Sequence, residues 1–335
     1  MPAQDATFFT VADERFFVGA ACLINSLRLT GNAGEIVLLD NGLTPSQRER
    51  VEPHARLVEA PDEVRDTPML LKSFPHLLDP EGTVVVIDSD MIVTRSLDPI
   101  LEQAAAGKVC LFADIEDQRN RRIPEWEQAF GLARPPREGQ HYLNAGFICL
   151  SSDHHPGLLE RYWDLCKSIP PGTTMTAGAG YYQPFWGGDQ DAINALLMSE
   201  VDADAVVELP ELEGPSADWL GEVRIEDEQT LRCTLRGHET YLLHYWGGPK
   251  PWHSQSWMRV QRDAYVRLMP RVLFADDVAV KVSPEELPAW MRPGAAAGAA
   301  LAGLGAINGS ARALLDRVPP ETRGRLAKAI RRVGR

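Results

Sequence analysis

Two aspartates separated by one residue close an apolar run in the segment VVVIDSDMIV, where Asp88, Ser89 and Asp90 follow Val84-Val85-Val86-Ile87. Such a run predicts a strand buried on both faces. The carboxyl end of a buried strand faces the crevice in which open α/β sheets bind ligands. Two carboxylates there repel each other, and a cation relieves the repulsion. Hard divalent ions such as Mn²⁺ or Mg²⁺ take one or two carboxylates and complete their shell with phosphate oxygens. The plainer alternatives are two solvated aspartates at a strand end, or aspartates capping the next helix.

A second group lies in HYWGGPKPW, residues 244–252. His244 follows the apolar Tyr241-Leu242-Leu243 and so also falls at a strand end. Gly247 and Gly248 let backbone approach a ligand closely, and Lys250, stiffened by Pro249 and Pro251, offers a point charge suited to phosphate. A lone histidine beside aromatics is usually a core residue; with a glycine pair and a lysine it points to a site. The third group joins LNAGFICLS to GGDQDAIN. Asn144-Ala145-Gly146 precedes an apolar strand, and its amide offers both donor and acceptor to a polyhydroxylated ligand. Asp189 opens a helix after Gly187-Gly188, where N-capping and a role at a site are equally compatible with the sequence.

These groups need a scaffold that brings strand ends together. ATFFTVAD, EIVLLD, ARLVEA and the run at Val84 alternate with VGAACLINSLRLTG, TPSQRERV (Thr44 as N-cap, Pro45 in the first turn) and a helix around MLLKSFPHLL. That β-α-β-α-β-α-β alternation within the first ninety residues predicts a doubly wound α/β sheet. Further on, KVCLFAD, AGFICLS and TYLLHYW read as strands. IPEWEQAFGL, HPGLLERYWDLCKS, DQDAINALLMSE and SWMRVQRDAYVRLMPRV read as helices. One domain is expected over residues 1–275 and an extension over 276–335, with a small-residue linker and basic amphipathic segments.

The chain has 335 residues and a net charge of −13, which argues against a nucleic-acid binder. The charge is uneven: residues 291–335 hold nine basic residues against two acidic ones. Such a tail fits an anionic lipid surface, at about 1 kcal/mol for each basic residue, or else a solvated tail. Five cysteines show no metal-ligand spacing, four of them read as small core residues, and a reducing cytoplasmic setting fits them. The N-terminus lacks the pattern of a signal peptide, and the fourteen-residue segment GAAAGAALAGLGAI is too short for a membrane span.

VADERF, Lys72, IDSDMIV, LNAGFICLS, GGDQDAIN and HYWGGPKPW occur in this order over residues 6 to about 255. Together they resemble the retaining glycosyltransferases of family 8, a group that includes glycogenin and bacterial lipopolysaccharide galactosyl- and glucosyltransferases. The resemblance implies a GT-A fold: α/β, a single mixed, mostly parallel sheet flanked by helices, Rossmann-like in its N-terminal half. It implies a metal-dependent transfer of a hexose, glucose or galactose, from a UDP-sugar to a glycan or lipid-linked acceptor such as lipopolysaccharide. Asp88, Asp90 and His244 would hold Mn²⁺ or Mg²⁺, with Ser89 between the aspartates. Ala12 and Asp13 would meet the base, Lys72, Asn144 and Asp189 the sugar, and Gly247 and Lys250 the diphosphate, with Ala145 and Gly146 also in the donor site. Gln190 would lie beneath the anomeric carbon. Arg15 and Phe16 stand where family members often carry Asn and Tyr.

Retention by a covalent route needs a nucleophile, and only Asp189 or Gln190 is placed for it. An amide is a poor nucleophile, so same-face attack is favoured, with the departing phosphate taking the acceptor's proton. Tyr181, Tyr182, Phe185 and Trp186 would stack on acceptor sugars or pack the core. Two alternatives stand beside this reading. One is a haloacid-dehalogenase-type phosphohydrolase, which also places D-x-D after an apolar strand; the other is a non-catalytic sugar-nucleotide or glycan-binding protein. A tail on anionic lipid would put the enzyme at the inner face of the cytoplasmic membrane.

Overall fold

A computed structural model describes residues 6–115, 118–214, 222–246, 249–254 and 263–292. Gly247 and residues 293–335, which carry one expected diphosphate contact and nearly all of the basic tail, lie outside the described residues. In chain order the elements begin β1 (Ala6–Ala12), α1 (Phe17–Leu29), β2 (Glu35–Asp40), α2 (Pro45–Val51), β3 (Arg56–Glu59), α3 (Pro68–Leu71) and β4 (Thr83–Ile87). They continue with β5 (Met91–Val93), α4 (Asp98–Ala105), β6 (Val109–Ala113), α5 (Trp126–Ala129), β7 (Leu143–Ser151), α6 (Leu158–Ser168) and α7 (Asp189–Ser199). The chain then forms β8 (Val206–Leu209), β9 (Val223–Asp227), β10 (Arg232–Leu235), β11 (His238–Glu239), β12 (Leu242–His244) and α8 (Ala264–Phe274).

The main sheet has seven strands in the order β3-β2-β1-β4-β7-β6-β8. β1 pairs in parallel with both β2 and β4, whereas β7 runs antiparallel to β4 and to β6. The sheet is therefore mixed and mostly parallel, as expected. Two small antiparallel sheets, β11-β10-β9 and β12-β5, stand beside it. β4 is buried along its whole length, because both faces of the main sheet are covered. One face packs α1, α4 and α8, and the other packs α6 and α7.

Local sequence explains most of the elements. Thr44 accepts from the backbone N–H of Gln47 and Gln47 returns the bond, so α2 starts on a capping box with Pro45 behind it. α1 buries eleven of its thirteen residues, which its nearly continuous apolar and small composition allows. Buried Asn25 in α1 receives the N–H of Val280 and donates to the carbonyls of Val272 and Val280. Together with Val280, Leu287, Trp290 and Met291, which join the core, it ties residues 276–292 onto α1.

Several expected elements differ in extent. The helix around MLLKSFPHLL is split into α3 and a 3-10 turn at Phe74–Leu78, because Pro75 lacks the N–H a continuous helix needs. The helix at IPEWEQAFGL is the single turn α5. Asn144-Ala145-Gly146 lies inside β7 rather than before it. The helix expected over SWMRVQRDAYVRLMPRV is described from Ala264, with Asp263 as its cap. All five cysteines are buried, one more than expected.

Candidate functional site

β4 ends at Ile87, and the N–H of Asp88 bonds to the carbonyl of Gly146 on β7. The chain turns through Ser89 and Asp90 and runs back as β5, which pairs with β12 so that Met91 faces His244. The N–H of Tyr245 then bonds to the carbonyl of Asp90. This short ladder sets His244 Nε2 at 3.1 Å from Asp90 Oδ1 and 3.7 Å from Asp88 Oδ2. His244 is thus brought into a single ligand sphere with aspartates 154 and 156 positions before it in the chain. Close packing against α1 supports the turn. A Cβ on Gly19 would lie 2.7 Å from Trp252 Cη2 and 2.8 Å from the carbonyl oxygen of Ser89, so only glycine admits both.

Two lysines meet the carboxylates. Lys250 Nζ bonds to Asp90 Oδ2 and to the carbonyl of Tyr245 (2.6 Å). Its loop is anchored to the segment after β1, because Trp252 Nε1 donates to the carbonyl of Arg15. Lys72 Nζ sits 3.0 Å from Asp88 Oδ1 and 3.0 Å from Asp189 Oδ2, bridging β4 to the first turn of α7. Asp189 is therefore not a cap. Gly188 occupies the cap position with no side-chain bond, and the Asp189 carboxylate faces Lys72.

The electrostatics follow from burial. Desolvation opposes the charged form of every group here. For Lys72, Asp189 and Asp88 outweigh that cost and raise its pKa. Asp90 sits below the usual carboxylate range, since His244 and Lys250 overcome its burial. Asp88 is pushed up, first by burial, with Lys72 only partly offsetting it and Asp90 adding repulsion.

A cleft of about 310 Å³ runs from this cluster toward the ends of β1 and β2. Its lining includes Lys72, Asp88, Ser89, Asp90 and Lys250 together with Ala12, Asp13, Phe16 and Asn41. Asp13 Oδ1 accepts from the N–H of Phe16, which orders the loop after β1 and leaves the second oxygen for other partners.

Asn144 and Gln190 also converge on the site. Buried Asn194 in α7 exchanges bonds with both backbone groups of Leu143, which fixes α7 against the start of β7. From there Gln190 Oε1 accepts from the N–H of Ala145 (3.0 Å), and its Nε2 donates to Asp114 Oδ2 (2.6 Å). Both polar atoms of Gln190 are committed, so its amide orientation is set. Asn144 Oδ1 accepts from the N–H of Gly146. Asp114 and Asn194 are the residues the sequence reading passed over, and no local pattern marks either. Burial pushes the Asp114 carboxyl up, against its bonds to Ile115 N–H, Gln190 and Asn144.

Phe185 of the aromatic stretch packs edge-on against Phe130, with ring centroids 5.0 Å apart, as a core residue does, whereas Tyr182 is exposed. Asp88, Asp90 and His244 offer three donor atoms within 4.8 Å of one another, a set able to hold a metal ion. Two carboxylate oxygens and an imidazole nitrogen fit the Mn²⁺ or Mg²⁺ expected from sequence.

No family profile and no curated protein matches this sequence. Solved structures do match. The apo structure of WbbM, a bifunctional glycosyltransferase, superposes with a TM-score of 0.54 at 17% identity, over 79% of this chain and 50% of the other, so this chain spans half of that protein's length. The galactosyltransferase LgtC in complex with donor and acceptor sugar analogues superposes with a TM-score of 0.50 at 16% identity, over 81% of this chain and 98% of the other. An active-site mutant of LgtC gives 0.51 at the same identity and coverage. The chain has the GT-A glycosyltransferase fold.

Proposed function

We propose that this protein is a metal-dependent, retaining glycosyltransferase of the family 8 type that moves a hexose from a UDP-sugar to a glycan or lipid-linked acceptor. The observation that carries the reading is the cluster of Asp88, Asp90 and His244, whose two aspartates line a cleft that also reaches Ala12 and Asp13. Asp88, Asp90 and His244 hold Mn²⁺ or Mg²⁺, which when bound acts as a Lewis acid toward the leaving diphosphate. Lys250 adds a fixed positive charge beside it, anchored by the carbonyl of Tyr245. Ala12 and Asp13 receive the base, and the Phe16 ring lies 5.8 Å from Lys250 Nζ. Gly247, three positions before Lys250 in the sequence, completes the diphosphate contact.

Lys72, Asn144, Ala145, Gly146 and Asp189 orient the sugar. Because both ends of the Gln190 amide are held by Ala145 and Asp114, Gln190 acts by position rather than as a nucleophile. The bond from the anomeric carbon to the β-phosphate breaks and the bond to the acceptor oxygen forms on the same face. The acceptor's proton passes to the departing phosphate oxygen. Such a transition state is oxocarbenium-like, and its charge is matched by the carboxylates around the sugar. The basic tail places the enzyme at the inner face of the cytoplasmic membrane, close to a lipid-linked acceptor. The described residues contain no helix long and apolar enough to cross a membrane.

Calorimetric titration with UDP, with and without Mn²⁺, tests the donor site. Binding that requires the ion, and that Asp90→Ala abolishes, is the expected result. Near wild-type sugar transfer in metal-depleted buffer would sink the assignment.

A further inference from the structure

Arg121 is a fully enclosed cation outside the cleft, and its partner Asp191 is equally enclosed. The pair is saturated. Asp191 Oδ1 accepts from Arg121 Nε (2.8 Å) and from the Tyr142 hydroxyl (2.7 Å). Its Oδ2 accepts from Arg121 Nη2 (2.7 Å) and from the N–H of Gly187 (2.6 Å). The guanidinium also donates to the carbonyls of Tyr181 and Gln183, while Trp126 Nε1 donates to the carbonyl of Pro184. It lies 4.9 Å from the centroid of the Tyr181 ring and 5.1 Å from that of Trp186.

A buried ion pair is a weak source of stability, since apolar replacements often fold as well; what it supplies is a defined geometry. Here it fixes the backbone at residues 181, 183 and 187 to Asp191, in the helical turn that also carries Asp189 and Gln190. Between the two anchored carbonyls stands Tyr182. The residue is 84% exposed, the most exposed of the large apolar residues among those described. Its ring is met edge-on by Tyr181 at 5.3 Å. A rigid aromatic ring presented this way offers a broad apolar face at small entropy cost.

We propose that the Arg121–Asp191 clamp presents Tyr182 as the platform for the acceptor, whose terminal hexopyranoside lays its C–H face on the phenol ring. The proposal rests on the transferase reading and names its acceptor side. Arg121 is a positioning residue and Tyr182 touches the acceptor.

The test uses the labelled full chain on an array of hexose-terminated oligosaccharides, in the presence of UDP and Mn²⁺. The wild type retains at least one such glycan, Tyr182→Phe retains it equally, and Tyr182→Ala binds it about tenfold more weakly, the size of one aromatic contact. Arg121→Lys keeps the charge but loses the fork, and raises the acceptor KM about tenfold with kcat within about twofold. Retention by Tyr182→Ala equal to wild type overturns the proposal, as does a wild type that retains no hexose-terminated glycan while still binding UDP. A parallel fall of kcat in Arg121→Lys with KM unchanged overturns the clamp. Should that variant not fold, the two Tyr182 variants decide. Absence of UDP binding strikes the donor reading, and the array still decides the platform.

Discussion

Replacing Gly146 with alanine probes how tightly the site is built. Gly146 is not among the residues with positive φ, so its backbone accepts alanine and only space opposes the change. A Cβ there would lie 2.5 Å from Met91 Cε, 2.9 Å from Asn144 Oδ1 and 3.0 Å from Asp88 Oδ2. The methionine end can swing away at little cost, being the tip of a flexible chain. Asn144 and Asp88 have less room, because Asn144 Oδ1 already receives the N–H of Gly146 and Asp88 is held by Lys72. Overpacking of this kind costs about 1–3 kcal/mol, and loss of glycine's freedom in the unfolded chain returns about 0.4–1 kcal/mol. The net destabilisation is therefore about 0–2.6 kcal/mol, with a midpoint of about 1.3. The effect on the site is larger in proportion. Displacing the support of a metal ligand typically lowers metal affinity about 10–100-fold. Denaturant melts give the first number and calorimetric titration with UDP and Mn²⁺ the second. A variant with wild-type stability and Mn²⁺-dependent affinity within about twofold of wild type, well short of that range, would show that the inferred close approach is not there.

Three further outcomes follow from the same contacts. Asn25→Ala strips three buried backbone groups of their partner and should lower stability by about 2–4 kcal/mol in urea unfolding, since each such group costs about 1 kcal/mol or more. Glu286 is held below the ordinary glutamate value: burial pushes its carboxyl up, but Arg50, Gln47 and the N–H of Ser283 outweigh that. Its contribution is therefore present above the ordinary glutamate pKa and is lost as pH falls through the lowered folded value, so Glu286→Gln should flatten the acid side of a stability–pH curve. Truncation after Arg292 should leave UDP binding intact and release the protein from vesicles of anionic lipid; unchanged vesicle binding would refute the tail's role.

Much of the fold was legible because its signals are local. The apolar run at Val84–Ile87, the Thr44 cap and the Gly-Gly before α7 each act within a few residues. The direction of β7 was not legible, since a strand buried on both faces reads the same whether its neighbour is parallel or antiparallel. β5 was missed because three apolar residues after Asp90 gain strand character only from β12, some 150 positions on. In the site, the residue types that do chemistry on their own stood out. Asp114 and Asn194, by contrast, are meaningful only through Gln190 and Leu143, and nothing in their own neighbourhood announces those partners.

The ladder between β5 and β12 also bears on how the protein matures. While residues 242–250 have yet to leave the ribosome, Asp88 and Asp90 have neither His244 nor Lys250 beside them, and Lys72 is the only cation of the finished cluster already synthesised. The half-built centre carries excess negative charge at the end of β4, and closing it requires joining segments some 150 residues apart. Ligand capture is thus confined to chains that have completed this closure. A nucleotide and its ion would stabilise finished molecules selectively, drawing a partly folded population toward the native state by mass action.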